Sequence, residues 1–310
     1  MTENIDINET EVLRQYPEVL EMLLKDHTTQ RSIYWATDSY ADRGEGYRFR
    51  DAITVDSITG DNGLVIRPRS VKSKDEQTRR SKDMAEVFTP SWVCNAQNNL
   101  IDDAWFGKQG VFNQEKPDHT WKATTDKIVF PEGKTWKDYV RDTRLEITCG
   151  EAPYLASRYD TVSGNPIALT ERIGLLDRKL RIVSENTETT GDFLDWCQEA
   201  YMNTYGYEWQ GDNLLLARES LLFTFLDYYR AKFHAEPLLK SIQYIAYIIS
   251  WNVWQMDGLK FCPPGEEPVE PQQQLSLFAD SAEPNLCLIR DWRKPRDKQK
   301  IFFKSLLNQK

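Results

Sequence analysis

The fold is decided by a short stretch, Leu145-Glu146-Ile147-Thr148-Cys149-Gly150, which predicts a β-strand that ends in a glycine turn. Helical patterns lie on both sides of it, at residues 91–106, 169–184 and 190–204. Strands that alternate with helices are typical of α/β proteins. The stretch therefore favours an α/β sheet with a ligand-binding turn at the carboxyl end of one strand.

A second strand is predicted at residues 205–209, and it ends in an acid, Glu208. Nucleotide-like cofactors in α/β folds lie at the carboxyl ends of the strands, where glycine lets the chain approach the ligand closely. A carboxylate is suited to ribose hydroxyls because it accepts two hydrogen bonds well. Glu146, the Cys149-Gly150 turn and Glu208 are therefore candidate cofactor-binding residues.

The first 83 residues differ from the rest of the chain in their pattern of predicted elements. Apolar residues at helical spacing occupy one face of residues 9–26, interrupted by Pro17. An irregular region follows at residues 37–62, and a short strand is predicted at 64–67. Residues 70–83 form either a helix or a mobile arm. We interpret residues 1–83 as an N-terminal helical and irregular extension and a candidate DNA-contacting arm. It is either a separate domain or an arm packed on the core. Residues 84–310 form the main domain.

Further elements are predicted along the main domain. Residues 107–134 are polar and contain Pro and Gly, which indicates an insertion, and Thr135 is a suitable N-cap for a short helix. The pattern predicts a long amphipathic helix at residues 212–233 and a further helix at 237–250. It then predicts a strand with its turn at 251–259, a proline-rich loop at 262–284, and two last strands at 287–292 and 301–306.

The net charge of −9 excludes a protein that coats DNA non-specifically, because phosphate neutralisation requires a basic surface. DNA binding then depends on basic residues that are gathered locally. One group lies at the end of the chain, at residues 290–304. The other group is the candidate nucleic-acid-binding set: Arg67, Arg69, Lys72, Lys74, Arg79, Arg80 and Lys82.

Five widely spaced cysteines without a Cys-x-x-Cys pair indicate reduced thiols. The acidic, polar N-terminus does not resemble a signal peptide, and no apolar stretch is long enough to span a bilayer. We therefore expect a cytoplasmic protein without a membrane partner. Only three histidines occur, far apart in the sequence, so we expect no histidine-based metal site.

Four segments resemble, in order, the motifs of adenine-N6-specific DNA methyltransferases, including the modification subunits of restriction–modification systems. Residues 85–90 end in Phe-Thr-Pro, the element that opens the catalytic domain of that family. Residues 145–155 resemble the first motif, an acid followed by a Cys-Gly turn, and residues 205–218 resemble the second, an acid that ends a strand. Residues 252–259 resemble the third, a strand that ends in Asp and a small residue. The resemblance covers about residues 84–260.

The resemblance implies a Rossmann-like methyltransferase core, S-adenosylmethionine as cofactor and DNA as partner. The implied cofactor-binding residues are Phe88, Thr89, Pro90, Glu146, Thr148, Cys149, Gly150, Glu208, Trp209, Asp257 and Gly258. The Phe-Thr-Pro element would lie near the methionine end of the cofactor, and the first motif would hold its amino-acid portion. Glu208 would bind the ribose, Trp209 would pack on the adenine, and Asp257 would accept from the adenine amino group.

The fourth motif of the family, Asn or Asp followed by Pro-Pro and an aromatic residue, is not found. Its acceptor and ring grip the flipped target base. Here the chain has Cys262-Pro263-Pro264-Gly265, which lacks both, so the catalytic residues stay unassigned. One hypothesis is a DNA adenine methyltransferase, or its modification subunit, whose motif is supplied by a second subunit or replaced by an unrecognised variant. The second subunit would supply the catalytic motif or target recognition. The alternatives are a non-catalytic S-adenosylmethionine- or DNA-binding subunit, and a methyltransferase that acts on another substrate.

Overall fold

The computed structural model describes residues 5–269 and 284–307. Its helices are α1 Glu9–Gln15, α2 Val19–Leu24, α3 Val55–Ile58, α4 Lys74–Met84, α5 Ser91–Phe106, α6 Trp136–Arg141, α7 Leu175–Asn186, α8 Thr190–Met202, α9 Gly211–Phe233, α10 Leu239–Asn252 and α11 Lys304–Leu307. Its strands are β1 Asn113–Glu115, β2 Trp121–Ala123, β3 Arg144–Glu146, β4 Thr204–Glu208, β5 Val253–Gln255, β6 Leu288–Arg290 and β7 Lys300–Phe302.

The central sheet has three parallel strands in the order β3-β4-β5, which confirms the predicted α/β class. Glu146 at the end of β3 lies opposite Gly206, and Glu208 at the end of β4 lies opposite Gln255. Helices α7 and α8 connect β3 to β4, and α9 and α10 connect β4 to β5. The two strands that end in acids are therefore neighbours, with their carboxyl ends at the same end of the sheet.

Local capping explains where two of the predicted helices begin and end. Helix α5 covers the predicted residues 91–106 and ends at Gly107, which has a positive φ of 68°. Helix α6 begins after Thr135, whose hydroxyl accepts from the Asp138 N–H at 3.3 Å. The Asp138 carboxylate in turn accepts from the Thr135 N–H at 2.7 Å, which completes a capping box.

Helix α9 runs through the middle of the molecule. The sequence predicts an amphipathic helix, whereas most of its side chains are buried, because α7, α10, β4 and β5 all pack on it. Arg218 is fully buried, and its guanidinium donates to the carbonyls of Val253 at 2.8 Å and Lys25 at 3.0 Å. Burial lowers the pKa of Arg218 to about 10. This residue joins α9 to β5 and to the end of α2.

The described part of the N-terminal extension packs on the main domain. Leu20 and Leu23 of α2 belong to the same hydrophobic core as Leu222 and Phe225 of α9. Helix α2 contacts both α10 and α9. Residues 64–67 form turns and bends instead of the predicted strand, although Val65 and Ile66 are buried there. The extension is thus an arm packed on the core.

Two antiparallel hairpins lie outside the central sheet. In the predicted insertion, β1 pairs with β2. Near the end of the chain β6 pairs with β7, which confirms the predicted last strands, although residues 304–306 are helical in α11. The second hairpin contributes Ile289 and Phe303 to a small core with Tyr207 and Trp254. It therefore packs against β4 and β5.

The outer side of β5, which we name the covered edge, is closed by other parts of the chain. All three residues of β5 are buried. The Gln255 side chain accepts from the Tyr34 N–H at 3.0 Å and donates to the Tyr34 carbonyl at 2.7 Å. The Cys287 thiol donates to the Gln255 carbonyl at 3.4 Å. Segments from both ends of the chain thus complete this side of the sheet.

The outer side of β3, which we name the open edge, has no such cover among the described residues. The Arg144 N–H donates to the Asn203 carbonyl at 3.0 Å. In an outer parallel strand, every second residue directs its N–H and C=O toward the neighbouring strand. Because Arg144 faces β4, the N–H and C=O of the next residue, Leu145, point away from β4. Leu145 is 43% exposed and Ile147 is 62% exposed. On this side, therefore, no described residue covers the outer strand of the sheet.

All five cysteines are buried and unpaired. Burial raises the pKa of the Cys149 thiol well above its ordinary value, so this residue is a packing group and not an activated nucleophile. No helix formed by residues 5–269 or 284–307 has the length and apolarity needed to cross a membrane.

Candidate functional site

A cavity of about 1140 Å³ opens at the carboxyl ends of β3 and β4. It is lined by residues 82–89, 145–150 and 208–210, together with side chains of α5 and the first turn of α9. The location is the one at which parallel sheets bind ligands, beyond the ends of the strands. Three segments that the sequence singles out separately therefore share one wall.

Glu208 joins two of these segments directly. Its carboxylate accepts from the Gly150 N–H at 2.9 Å and from the Gln210 N–H at 3.2 Å. Burial raises the pKa of Glu208 to about 7. Gly150 has a φ of 55°, and a Cβ there would lie 3.5 Å from the Phe88 ring. The contact with Phe88 would be an ordinary van der Waals contact, so it is the positive φ that favours glycine at this turn.

Glu146 lies at the end of β3 and is 9% exposed. One carboxylate oxygen accepts from the Tyr154 N–H at 3.4 Å, and the other has no hydrogen-bond partner among the described residues. Burial, with a smaller contribution from the nearby Glu208, raises the pKa of Glu146 well above its ordinary value. A cationic ligand group would lower this pKa and satisfy the free oxygen.

The rest of the first motif is divided between packing and the cavity wall. Cys149 is buried beside Gly206, where a Cβ on the glycine would lie 3.4 Å from the sulfur. Thr148 is exposed at a φ of 45°, and its hydroxyl donates to the Ile147 carbonyl at 2.8 Å. Both Thr148 and Cys149 line the cavity.

The Phe-Thr-Pro element borders the cavity with its first two residues. Phe88 and Thr89 line it, and the Arg69 guanidinium lies 5.3 Å from the centre of the Phe88 ring. The Thr89 carbonyl accepts from the Thr161 hydroxyl at 3.2 Å. Pro90 is the N-cap residue of α5 and is not part of the lining.

Trp209 lines the cavity, but Asp257 and Gly258 do not. The Trp209 indole N–H donates to the Ala36 carbonyl at 3.1 Å, which fixes the ring on the wall. The Asp257 carboxylate accepts from the backbone N–H groups of Leu259 at 2.8 Å and Lys260 at 3.1 Å. Asp257 thus stabilises a turn outside the cavity lining, although β5 of the third motif pairs with β4 of the second.

Two members of the basic set are inside the protein. Arg80 is fully buried and pairs with Glu86 at 2.6 Å and with Asp212 at 2.8 Å. Lys72 is 4% exposed and lies 3.5 Å from the same Asp212. The expectation of phosphate contacts is therefore wrong for Arg80 and Lys72, because both cations neutralise buried carboxylates.

The other members of the set are accessible to different degrees. Lys74, Arg79 and Lys82 are exposed on α4. Arg67 and Arg69 are half-buried, and Arg67 lies 3.5 Å from Glu76. Lys82 also lines the cavity. The surface beside the opening therefore carries several of the predicted cations.

Sequence reasoning missed three buried residues of the lining, Glu86, Asn98 and Asn213. Each has a side-chain oxygen without a hydrogen-bond partner among residues 5–269 and 284–307. Glu86 lies just before the Phe-Thr-Pro element, and this position could have drawn attention to it. Asn98 and Asn213 give no such signal, since both lie within predicted helices.

The donor set does not resemble a metal centre. Within the part of the chain that the structure describes, no three His, Cys, Asp or Glu residues are grouped to hold a metal ion. The chain was also compared with models of protein families, with curated proteins and with solved structures. No family model, curated protein or solved structure matches it.

Proposed function

We propose that the chain binds S-adenosylmethionine in this cavity and is the cofactor-binding component of an adenine-N6 DNA methyltransferase of a restriction–modification system. The observation that carries the proposal is the chemistry of the lining. Four buried side-chain atoms of the lining have no hydrogen-bond partner within residues 5–269 and 284–307, and all four are acceptors: Glu86 Oε1, Asn98 Oδ1, Glu146 Oε2 and Asn213 Oδ1. A fitting ligand presents N–H, O–H or positive charge, and not phosphate.

S-adenosylmethionine has the complementary groups: an ammonium, two ribose hydroxyls, an adenine amino group and a positively charged sulfur. Glu208 is the ribose acceptor, because each carboxylate oxygen keeps a free lone pair after it accepts one backbone N–H. Glu146 is the partner of the ammonium. No cation lies within ion-pair distance of Glu146 among the described residues.

When bound, S-adenosylmethionine supplies a methyl group on a positively charged sulfur. The adenine N6 nitrogen attacks poorly while its lone pair is delocalised, so an acceptor has to hold its hydrogens. The Cys262-Pro263-Pro264 segment does not provide that acceptor. Both prolines are buried away from the cavity lining, and the Pro264 carbonyl accepts from the Tyr34 hydroxyl at 2.7 Å.

The proposal therefore includes a second subunit that supplies the catalytic motif. The open edge supports this part, because Leu145 directs free backbone groups outward beside the cavity. A strand added there in parallel would extend the sheet and place its own carboxyl end next to that of β3. DNA is the proposed substrate, with the exposed cations Lys74, Arg79 and Lys82 near its phosphates.

A second function is a non-catalytic S-adenosylmethionine- or DNA-binding subunit. The observation that favours it is the lining itself, in which no acceptor is followed by Pro-Pro and an aromatic residue. The two functions differ in methyl transfer. Cofactor binding without transfer, in every combination with candidate partner chains, would support the non-catalytic subunit.

Isothermal titration of the purified chain tests the proposal. We expect saturable binding of S-adenosylmethionine and no binding of ATP, whose phosphates would face the acceptor oxygens. Transfer of tritiated methyl groups to DNA, with and without partner chains, then tests catalysis. The proposed cofactor fails if ATP binds and S-adenosylmethionine does not.

A further inference from the structure

Glu86 and Asn213 form a pair of acceptors whose orientation is fixed by the protein. Glu86 Oε2 accepts from the Arg80 Nε at 2.7 Å and from Asn213 Nδ2 at 3.1 Å, and a terminal nitrogen of the same guanidinium lies 2.6 Å from it as an ion-pair partner. Glu86 Oε1 has no partner among the described residues. The carboxylate thus has one fully used oxygen and one free oxygen.

The amide of Asn213 is oriented by the same contact. A carboxylate only accepts, so the side chain has to present its NH₂ group to Glu86. Its carbonyl oxygen is then turned elsewhere, and no described residue donates to it. Asn213 is 1% exposed and Glu86 is 6% exposed, yet both line the cavity. The cavity is therefore the place from which a donor can reach both free oxygens.

The ion-paired cluster that holds these two acceptors contains equal numbers of cations and anions. Arg80 and Lys72 are the cations, and Glu86 and Asp212 are the anions. The Tyr40 hydroxyl also donates to Asp212, at 2.8 Å. A cationic ligand group would find no unpaired anion within this cluster. A neutral donor would satisfy the oxygens and leave the balance unchanged.

We propose that Glu86 Oε1 and Asn213 Oδ1 bind a neutral aromatic amino group, one N–H to each oxygen, as on the six-position of adenine. The inference rests on the proposed function, since it assigns part of the same cavity. It distinguishes this pair from Glu146, which has no cation partner and suits an ammonium. The amino group belongs either to the cofactor or to an adenine of the DNA substrate.

The first test compares S-adenosylhomocysteine with S-inosylhomocysteine, in which a carbonyl replaces the amino group. In the wild-type chain the carbonyl oxygen would face two acceptors, so we expect about tenfold or more weaker binding of the inosyl compound. Asn213→Ala should reduce this preference severalfold. Because the ratio is measured within one preparation, partial loss of folded protein cancels.

The second arm uses single-stranded oligo(dA) and oligo(dI), with and without saturating S-adenosylhomocysteine. If S-adenosylhomocysteine binds more tightly than S-inosylhomocysteine, the site belongs to the cofactor. If only oligo(dA) binds more tightly than oligo(dI), the site binds the DNA base. Equal binding within both pairs overturns the inference, even where S-adenosylmethionine binds well. If neither homocysteine compound binds, the proposed cofactor fails and the oligonucleotide pair decides the inference.

Asn213→Ser provides a second variant in case the alanine variant does not fold. Serine keeps a small polar group but is too short to hold both positions of the amide. We expect the same loss of preference for the amino group. A full wild-type preference in either folded variant would overturn the role of Asn213.

Discussion

The two outer strands of the central sheet bury their backbone to different extents. At the covered edge, Gln255 bonds to the backbone of Tyr34, and the Cys287 thiol bonds to β5. At the open edge, Leu145 and Ile147 expose apolar side chains. An uncovered strand is a site for pairing with another chain, whereas a covered strand is part of the folding unit. The contrast separates the residues that fold this chain from those available to a partner.

The largest effect is expected at the covered edge. Gln255→Leu leaves the N–H and C=O of Tyr34 and the C=O of Trp209 without their partner. We expect the free energy of unfolding to fall by about 3 kcal/mol. Denaturant unfolding measures this change. Leu145→Gln at the open edge is the control, with a change within about 0.5 kcal/mol. Equal losses would remove the distinction between the edges.

At the ligand end of the sheet, Glu208→Ala removes the proposed ribose acceptor. We expect cofactor affinity to fall by about 1.5–3 kcal/mol, the scale of hydrogen bonds to a charged group. Glu208→Gln keeps the shape of the side chain and should lose less. Titration calorimetry with S-adenosylmethionine gives both values. An affinity equal to that of the wild type would refute the assignment of Glu208.

The pKa of Glu208 predicts a pH dependence of binding. The ionised carboxylate is the better acceptor, and its pKa is raised to about 7, so affinity should increase as the pH rises through this value. We expect about tenfold weaker binding at about pH 6 than at about pH 8. Glu208→Gln should remove this component of the pH profile. A wild-type profile that falls over this range would contradict the role of the carboxylate.

A small effect on stability is also expected for Leu145→Pro. The outward N–H of Leu145 has no role in the pairing with β4, so its loss should cost less than about 1 kcal/mol. In the presence of a complementing subunit the same variant should lose assembly, which analytical ultracentrifugation measures. A large loss of stability in the isolated chain would mean that the strand is not open on this side.

The sequence predicted the parts of the fold that depend on neighbouring residues. Helix α6 follows from the hydroxyl of Thr135 and the carboxylate of Asp138, three residues apart. Gly150 and Glu208 were named separately as cofactor-binding candidates, and the structure joins them through the Gly150 N–H and the Glu208 carboxylate. The resemblance to methyltransferases is itself a prediction that the fold class alone does not test.

What the sequence could not predict depends on partners that are distant along the chain. Arg80 lies in a basic run, and its burial depends on Gln210 and Asp212, which are in another element. The Asp257 carboxylate is engaged by the turn that follows it, so the residue type alone did not distinguish a ligand contact from a turn. Charge patterns along a sequence do not reveal which side chains turn inward.

The inward direction of Arg80 has a thermodynamic consequence. Helix α4 carries the exposed cations Lys74 and Arg79, and its Arg80 is held by Glu86 in the cavity wall. The cation surface and the cavity are thus two sides of one short helix. For the proposed cavity ligand and the proposed DNA phosphates, linkage requires reciprocity: the factor by which an occupied cavity raises the affinity for phosphate equals the factor by which bound phosphate raises the affinity for the ligand.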